Sequence, residues 1–341
     1  MAHELSIRAN GKAEMAFIGG ETPWHGLGQP VTKGASIGVW AKEAGMDWQA
    51  EEAAVFYGRS DLAGGSLLPA DGYKMLYRSD TNKQLAIVGS DYQVVQPIEV
   101  LEFFRDMTEQ GGWYIHTAGV LREGRKVWAM ATNGDEANVG RGDKVMRNLL
   151  LATSLDGSMK TIARETSVCV VCANTLHMAL NGNSRASITT SHRSVFDASL
   201  VKRALGINVD AFKLVIEQAK ELADTPVKLD DARDVLRQLF KVEQKAAISP
   251  KLSWLGDLSQ VGQEPEAKDP RGVQAILALF EGAGMGADTK TRKGTAWGLL
   301  NAVTEYADHH VGRTGDSRLD SAWFGKGDQL KQQALELITS I

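Results

Sequence analysis

The sequence predicts an α+β fold: an antiparallel β-sheet built from hairpins with packed helices, followed by a mainly helical C-terminal region. Residues 113–171 hold apolar, β-rich runs joined by turn sequences. One of these turns contains Asp156-Gly157, a strong hairpin signal. From about Asp197 the apolar residues recur instead at helical spacing. This change of period divides a sheet region from a helical one.

The chain has 341 residues, enough for a large core and for more than one subdomain. We expect an α+β sheet domain over residues 1–200 and a mainly helical region over residues 201–341. Ser, Pro, Gly and mixed charges between about 248 and 270 predict a long loop within that second region.

The first part of the sheet domain alternates strands with short helices. Pro97 suits a first helical turn, and Leu101 and Phe104 can share the inner face of the helix that it starts. The predicted elements are a helix at Ile37–Met46, strands at Glu52–Arg59 and Tyr73–Arg78, a hairpin of Gln84–Val88 with Tyr92–Val95, and a helix from Pro97 to Glu109.

The clearest β region follows. Two hairpins are predicted, each with its turn between two apolar runs. The predicted elements are Trp113–Leu121 with Val127–Thr132, Val145–Ser154 with Met159–Val171, a short helix at Ala173–Leu180 and a last strand at Ser187–Ser191.

The helical region begins after these strands. Thr225-Pro226 is a good N-cap and first-turn pair for one of its helices. The predicted helices are Asp210–Leu222, a segment around Ala232–Phe240, Gly272–Glu281, Gly294–His310 and Ser321–Ile341.

Composition excludes several classes of protein. A net charge of −4 excludes a globally basic protein that coats nucleic acid, although local basic patches stay possible. No apolar run reaches the ~18 residues of a membrane helix, and the N-terminus lacks the features of a signal peptide. The two cysteines fit a reducing compartment, so we expect a cytoplasmic protein.

Cys169 and Cys172 form a Cys-x-x-Cys pair at the end of a predicted strand. A zinc or redox site would need a second pair or nearby histidine ligands. The sequence has no second pair, and its apolar neighbours favour buried structural cysteines.

Basic residues are concentrated between positions 141 and 203. Nine Lys and Arg against four Asp and Glu leave a balance of +5 there. Cations spaced along a sheet face, near aromatic residues such as Trp113, Tyr114 and Trp128, suit single-stranded nucleic acid. A solvated sheet face is the alternative. The candidate phosphate contacts are Arg147, Lys160, Arg164, Arg185 and Arg193.

The predicted helix at 294–310 carries polar groups beside its apolar stripe. One face presents an indole, an amide, two carboxylates and an imidazole: Trp297, Asn301, Glu305, Asp308 and His309. Such oxygen and nitrogen ligands can hold a divalent metal. The alternative is a polar network that anchors the helix on the sheet domain or on another subunit.

The segment Glu21–Gly28 crowds Trp24 and His25 between Pro and Gly residues. This composition predicts a fixed, irregular loop. The loop is either a binding element or a loop whose Trp fills the core, and His25 has no acidic partner nearby in the sequence.

Familiar enzyme signatures are missing. The sequence has no phosphate-binding loop, dinucleotide fingerprint, nucleophile elbow or zinc-protease motif. We therefore assign no catalytic residue and expect no cofactor and no bound metal. An enzyme of a class without a recognised motif remains an alternative.

Five separated blocks, in order, resemble the domain-of-unknown-function family 932, also called the phage/plasmid-like protein family. The blocks are Gly20–Gly28, Gly89–Pro97, Val171–Leu176, Thr295–Tyr306 and Arg318–Gly325. The residues that we take as motif positions are Trp24, His25, Gly26, Asn174, Trp297, Asn301, Glu305, Asp308 and His309.

The resemblance implies a gene of bacteriophages, plasmids or integrated elements, and it implies no established catalytic residue. The order of segments in residues 73–200 also resembles that of phage single-strand annealing recombinases, in layout only. Three hypotheses follow. The first is ATP-independent binding or annealing of single-stranded DNA by a homo-oligomer. The others are a protein-interaction module, for example against host defence, and a metal-dependent enzyme that uses Asn301, Glu305, Asp308 and His309.

Overall fold

The α+β prediction is confirmed, with strands dominating the first half and helices the second. The computed structural model describes residues 6–8, 10–19, 27–58, 67–110, 112–140, 143–169, 175–176, 187–205, 209–242, 269–311 and 315–341.

The described strands form two sheets. The larger has the order β10-β9-β8-β7-β6-β1-β2, with β11 also paired to β9, and the smaller has the order β3-β4-β5. Every ladder is antiparallel except β1–β2, which is parallel, so the larger sheet is mixed rather than purely antiparallel. The strands are β1 Met15–Ile18, β2 Gln29–Val31, β3 Ala50–Gly58, β4 Leu67–Arg78, β5 Gln84–Gly89, β6 Tyr114–Leu121, β7 Lys126–Gly140, β8 Asp143–Ser154, β9 Thr161–Cys169, β10 Thr175–Leu176 and β11 Ser187–Thr190.

The described helices lie around the larger sheet and dominate after β11. Two of them continue as single π-helical turns, at Leu279–Ala283 and at Tyr306–His310. The helices are α1 Ile37–Ala44, α2 Pro97–Glu102, α3 Arg105–Gln110, α4 Ala198–Leu205, α5 Val209–Asp224, α6 Leu229–Leu239, α7 Arg271–Ala278, α8 Ala296–Glu305, α9 Gly315–Phe324 and α10 Lys326–Ile338.

The predicted helix from Pro97 to Glu109 is broken into α2 and α3. Phe103 and Phe104, at the break, are 1% and 0% exposed. Adjacent residues on a regular helix point in different directions, so both rings reach the core only when the helix is interrupted. The predicted hairpin of Gln84–Val88 with Tyr92–Val95 is also wrong. Residues 92–95 form no strand, and β5 pairs with β4 instead.

The prediction that Thr225 and Pro226 form the N-cap and first turn of a helix is also wrong. Helix α6 begins at Leu229, and Pro226 forms an isolated antiparallel bridge with Thr295. The predicted helix at 173–180 is contradicted where the chain is described, because Thr175 and Leu176 form β10 against β9.

Both faces of the larger sheet are covered. Leu149 and Leu151 of β8 belong to the core that includes residues of α1 and α2. The intervening Leu150 belongs to a smaller cluster on the other face, with Trp128 of β7 and Trp323 of α9. A third core joins helices α5 to α8 and α10 and reaches the sheet at Val145 of β8. Side chains in the central part of β8 are therefore enclosed on either face of the sheet.

Candidate functional site

The predicted cationic strand face does not exist as one surface. In the β8–β9 ladder, Arg147 lies opposite Ser167 and Arg164 lies opposite Leu150. Residues directly opposite each other share a face, and neighbours along a strand alternate. Arg147 and Arg164 therefore project from opposite faces of the larger sheet, so these two candidate phosphate contacts do not lie on one sheet face.

Both arginines are also engaged by acids. Arg147, with a side chain 3% exposed, places Nη2 2.7 Å from Oε1 of Glu165. Arg164 donates through Nη1 to both carboxylate oxygens of Asp328, each at 3.1 Å. The first pair ties β8 to β9, and the second ties β9 to α10. These contacts give both arginines a structural role in the fold.

Lys160 and Arg193 behave differently, because both are exposed and both line one groove of about 540 Å³. Lys160 directly precedes β9, whereas Arg193 follows β11. Residues that line this groove include Gly89, Asp91, Tyr92, Lys160, His192 and Arg193. The groove also includes part of the block at 89–97 that carries the family resemblance.

His192 holds the walls of this groove together. Its ring is stacked on Tyr92 with centroids 4.4 Å apart. Its Nδ1 lies 3.0 Å from the carbonyl oxygen of Gln93, and its Nε2 lies 3.1 Å from that of Met159. A protonated imidazolium donates to both carbonyls, whereas a neutral ring donates to only one. Because Met159 precedes Lys160 and His192 precedes Arg193, this ring links the two backbone segments that carry the cations.

Tyr92 is anchored in the same way. Its hydroxyl donates to the carbonyl oxygen of Ser154 at 2.9 Å. Burial raises the pKa of this phenol above its ordinary value of 10.0, so Tyr92 stays neutral at physiological pH. The groove floor is thus a fixed aromatic pair.

Two acids share the groove with the two cations. Asp91 Oδ2 lies 3.7 Å from Nε of Arg193, with side chains 68% and 85% exposed. Asp156 accepts a hydrogen bond from the backbone of Ser158 at 2.9 Å. Within the described residues, Lys160 has no acidic group within 4.0 Å. An anion entering the groove meets one unpaired ammonium and one loosely paired guanidinium.

The rest of the basic stretch is largely neutralised. Lys144 pairs with Glu136 at 3.1 Å, and Lys202 pairs with Asp106. Arg203 is exposed. Arg185 lies outside the described residues. The excess of positive charge counted in the sequence thus becomes, where described, mainly ion pairs.

Helix α8 buries the polar face that the sequence singled out. All ten of its residues are buried. Trp297 donates from Nε1 to Oδ2 of Asp143 at 2.9 Å. Arg292 donates to the same carboxylate from Nε and Nη2, at 2.6 and 2.5 Å. Asn301 donates to the carbonyl oxygen of Trp297 at 2.9 Å. Indole and guanidinium together join the helical region to β8.

The carboxylates of this segment have separate partners. Glu305 Oε2 accepts from the backbone of Met285 at 2.9 Å, and Asp308 pairs with Lys331 of α10 at 2.7 Å. His309, on the same turn, is half-buried. The described chain contains no group of three or more His, Cys, Asp or Glu side chains placed to hold a metal. These contacts give the segment an anchoring role.

Burial of Glu305 has a measurable consequence for stability. Burial raises the pKa of its carboxyl, against the opposing fields of His310 and Arg292. A carboxyl with a raised folded-state pKa adds stability below its unfolded pKa and loses it as pH rises through the folded value. Glu305→Gln keeps an acceptor for Met285 and stays neutral. Urea unfolding should show the variant gaining stability over the parent as pH rises above 4.5, and a pH-independent difference would contradict this.

Several partners of these residues were missed from the sequence. Asp143, Arg292 and Lys331 complete the buried network, and His192 completes the groove. No local signal marks them, because Asp143 and Arg292 are 149 positions apart. For His192, the only signal in the sequence is its position directly before Arg193, a candidate phosphate contact.

Other singled-out residues lie outside the described part of the chain: Trp24, His25, Gly26, Cys172 and Asn174. Cys169 ends β9. Leu27, the first described residue after the Trp24–His25 segment, packs against the cluster that contains Trp128 and Trp323. The described flank of that segment thus contacts the sheet face that α9 covers.

Comparison with known proteins decides the lineage. The family described as "Domain of unknown function (DUF932)" matches residues 84–323. The chain belongs to this family. The matched range includes the groove and the buried Asp143–Arg292–Trp297 network. No curated protein and no solved structure matches the chain. Among the described helices, none combines the length and apolar character needed to cross a membrane.

Proposed function

We propose that this chain is a nucleic-acid-binding protein of a phage or plasmid that holds single-stranded DNA without ATP in the host cytoplasm. One observation carries the proposal. Lys160 and Arg193, contributed by separate segments, share one open groove. Lys and Arg are the usual partners of backbone phosphates, and the groove offers one of each.

The groove is preorganised for such contacts. His192 bonds to the carbonyl oxygen of Met159, next to Lys160, and immediately precedes Arg193. The two backbone segments that carry the cations are therefore held together without a bound ligand, which lowers the entropic cost of binding. Sequence readout is not implied, because phosphate contacts carry no base information.

Arg193 must leave its acid to bind phosphate. The Arg193–Asp91 contact is long, at 3.7 Å, and exposed on both sides. Exposed pairs of this kind contribute ~0–1 kcal/mol, so a phosphate oxygen can replace the carboxylate at little cost. Lys160 and Arg193 together supply two phosphate contacts per chain, compared with the five candidate contacts predicted from the sequence.

Removing both cations should abolish most of the binding. We expect the double variant Lys160→Ala/Arg193→Ala to lose about tenfold or more in affinity for a labelled oligothymidylate at low salt, about 1.4 kcal/mol. Fluorescence anisotropy measures this directly. Loss of affinity without loss of thermal stability would support contact by these side chains.

A matched control distinguishes this site from general charge. Lys228→Ala/Lys290→Ala also removes two exposed cations, at positions outside the groove. It changes net charge equally, so its affinity should stay within about twofold of the parent. Equal losses in both double variants would reject the groove as the binding site.

A protein-interaction module is the second candidate, and one observation favours it. The β3–β4 hairpin exposes Phe56, Tyr57 and Leu67, each at least half accessible. Clustered exposed apolar side chains mark interaction surfaces more often than catalytic ones. The metal-dependent enzyme is not proposed, because Glu305 and Asp308 bind a backbone amide and Lys331 respectively.

A further inference from the structure

Beyond Ala50, strand β3 of the β3–β4 hairpin is exposed on both of its faces. From Glu51 to Gly58 every residue of β3 is exposed except Val55, which is half-buried. In most antiparallel sheets one face packs on the core, which gives alternating burial. Strand β3 shows no such alternation beyond Ala50, so Phe56 and Tyr57 pack little against the core, whereas β4 buries Leu76 near its end.

Strand β3 is also an open sheet edge. It is the first strand in the order β3-β4-β5. Among the described residues, only its beginning is capped, where the Gln96 side chain accepts from the amide of Ala50 and donates to its carbonyl. Backbone direction alternates along a strand, so outward-facing groups recur at the even positions Glu52, Ala54 and Phe56. From Ala53 to Tyr57 the edge carries no charge and no proline, and the β3–β4 ladder shifts register between Ala54 and Phe56.

We infer that β3 pairs antiparallel with β3 of a second copy of this chain, about a two-fold axis at Val55. Such an interface is isologous, because one strand supplies both halves. The two smaller sheets then join into one continuous sheet. The edge groups of Ala54 and Phe56 bond to those of Phe56 and Ala54 in the copy.

The sequence of β3 is self-complementary in this register. Each Phe56 lies opposite an Ala54 and each Tyr57 opposite an Ala53, so every ring has space beside it. Glu52 lies opposite the uncharged Gly58. A parallel in-register pairing would instead bring the acidic ends Glu51-Glu52 together, at a cost in repulsion.

The exposed aromatic rings of β3 lie at the proposed seam. Phe56 and Tyr57 are 56% and 50% exposed. A large side chain buries ~150–250 Å², so two half-exposed rings on each of two copies offer roughly 400 Å², to which the paired backbones add. The interface is therefore small, and backbone hydrogen bonds supply much of its affinity.

The first test is the mass of the full chain in solution. Light scattering after size exclusion should give twice 36.9 kDa for the parent at micromolar concentration. Val55→Lys places two ammonium groups at the axis and should give a single chain. Val39→Lys, a matched change at a residue of α1 that is 44% exposed, should stay dimeric. A monomeric parent would overturn the inference and would favour a different protein as the partner of the hairpin.

A second test fixes the register and does not depend on how Val55→Lys folds. Residues on the two-fold axis form a non-hydrogen-bonded pair with Cα atoms ~4.5 Å apart, which a disulfide can span. Val55→Cys should therefore cross-link to a dimer under mild oxidation. The parent, with Cys169 and Cys172, and Val39→Cys should not. A dimeric protein without the Val55→Cys cross-link would also overturn the proposed pairing.

This interface is separate from the groove. The groove-lining residues include none from β3. Val55→Lys should therefore keep its oligonucleotide affinity per chain, and Lys160→Ala/Arg193→Ala should remain dimeric. Failure of one proposal can thus be told from failure of the other.

Discussion

Replacing Arg292 by alanine is expected to lower the free energy of unfolding by about 3–5 kcal/mol. Arg292 is 1% exposed, and its partner Asp143 is fully enclosed. The guanidinium makes two short hydrogen bonds to that carboxylate and a third to the carbonyl of Met285 at 2.8 Å. Its removal leaves a buried carboxylate with the Trp297 indole among its remaining donors. The desolvation cost of that charge is then uncompensated.

Chemical denaturation of the full chain measures this loss. Arg233→Ala is the control, since Arg233 is 34% exposed and pairs with Asp230 and Asp269 at 2.9 and 3.3 Å. Partly exposed pairs contribute ~1 kcal/mol or less, so the control should change little. Similar losses in both variants would show that burial of the Arg292–Asp143 pair does not determine its importance.

Gly298→Ala is expected to have the second large effect, destabilising the chain by about 3 kcal/mol or more. A Cβ on Gly298 would lie 1.9 Å from the carbonyl oxygen of Arg292 and 2.7 Å from its carbon. Both are backbone atoms, so neither can rotate away. The Arg292 backbone approaches this closely where the chain turns into α8 beneath the Thr295 cap, whose hydroxyl accepts from the amide of Gly298 at 3.1 Å. The methyl group would push α8 away from this turn.

Gly38→Ala in α1 is the matched control. A Cβ there meets no atom within 4 Å, so helix propensity alone applies and stability should rise by about 0.5–1 kcal/mol. Thermal unfolding of the two variants should move in opposite directions. A neutral Gly298→Ala would show that α8 and the Arg292 backbone do not approach as described.

Local chemistry explains which elements the sequence could predict. The hairpins between 113 and 169 are encoded by nearby residues, with Asp156-Gly157 forming the turn between apolar runs, and both were confirmed. The break at Phe103-Phe104 and the start of α6 depend on distant packing, at the core and at Thr295. The spacing of apolar residues shows which face of a helix is buried. It does not show where a helix must break so that two adjacent side chains both reach the core.

The candidate site shows the same limit. The sequence shows which residues of one strand share a face, because odd and even positions alternate. Whether Arg147 shares a face with Arg164 depends on the β8–β9 register, which the turn sequence alone did not determine. Their acids, Glu165 and Asp328, lie 18 and 164 positions away. Lys160 and Arg193 meet in one groove because β11 returns to pair with β9. Charge counts therefore identify a basic stretch, but they do not show which of its cations are paired with acids in the fold.

Salt dependence of oligonucleotide binding by the unmodified protein tests the central claim most directly. Two phosphate contacts on a single strand predict a slope of about −1.4 in a plot of log affinity against log salt. Five contacts, one for each cation singled out in the sequence, would predict about −3.5. A slope near −1.4 supports the Lys160–Arg193 groove. An affinity that salt does not change, or no binding at low salt, would contradict it.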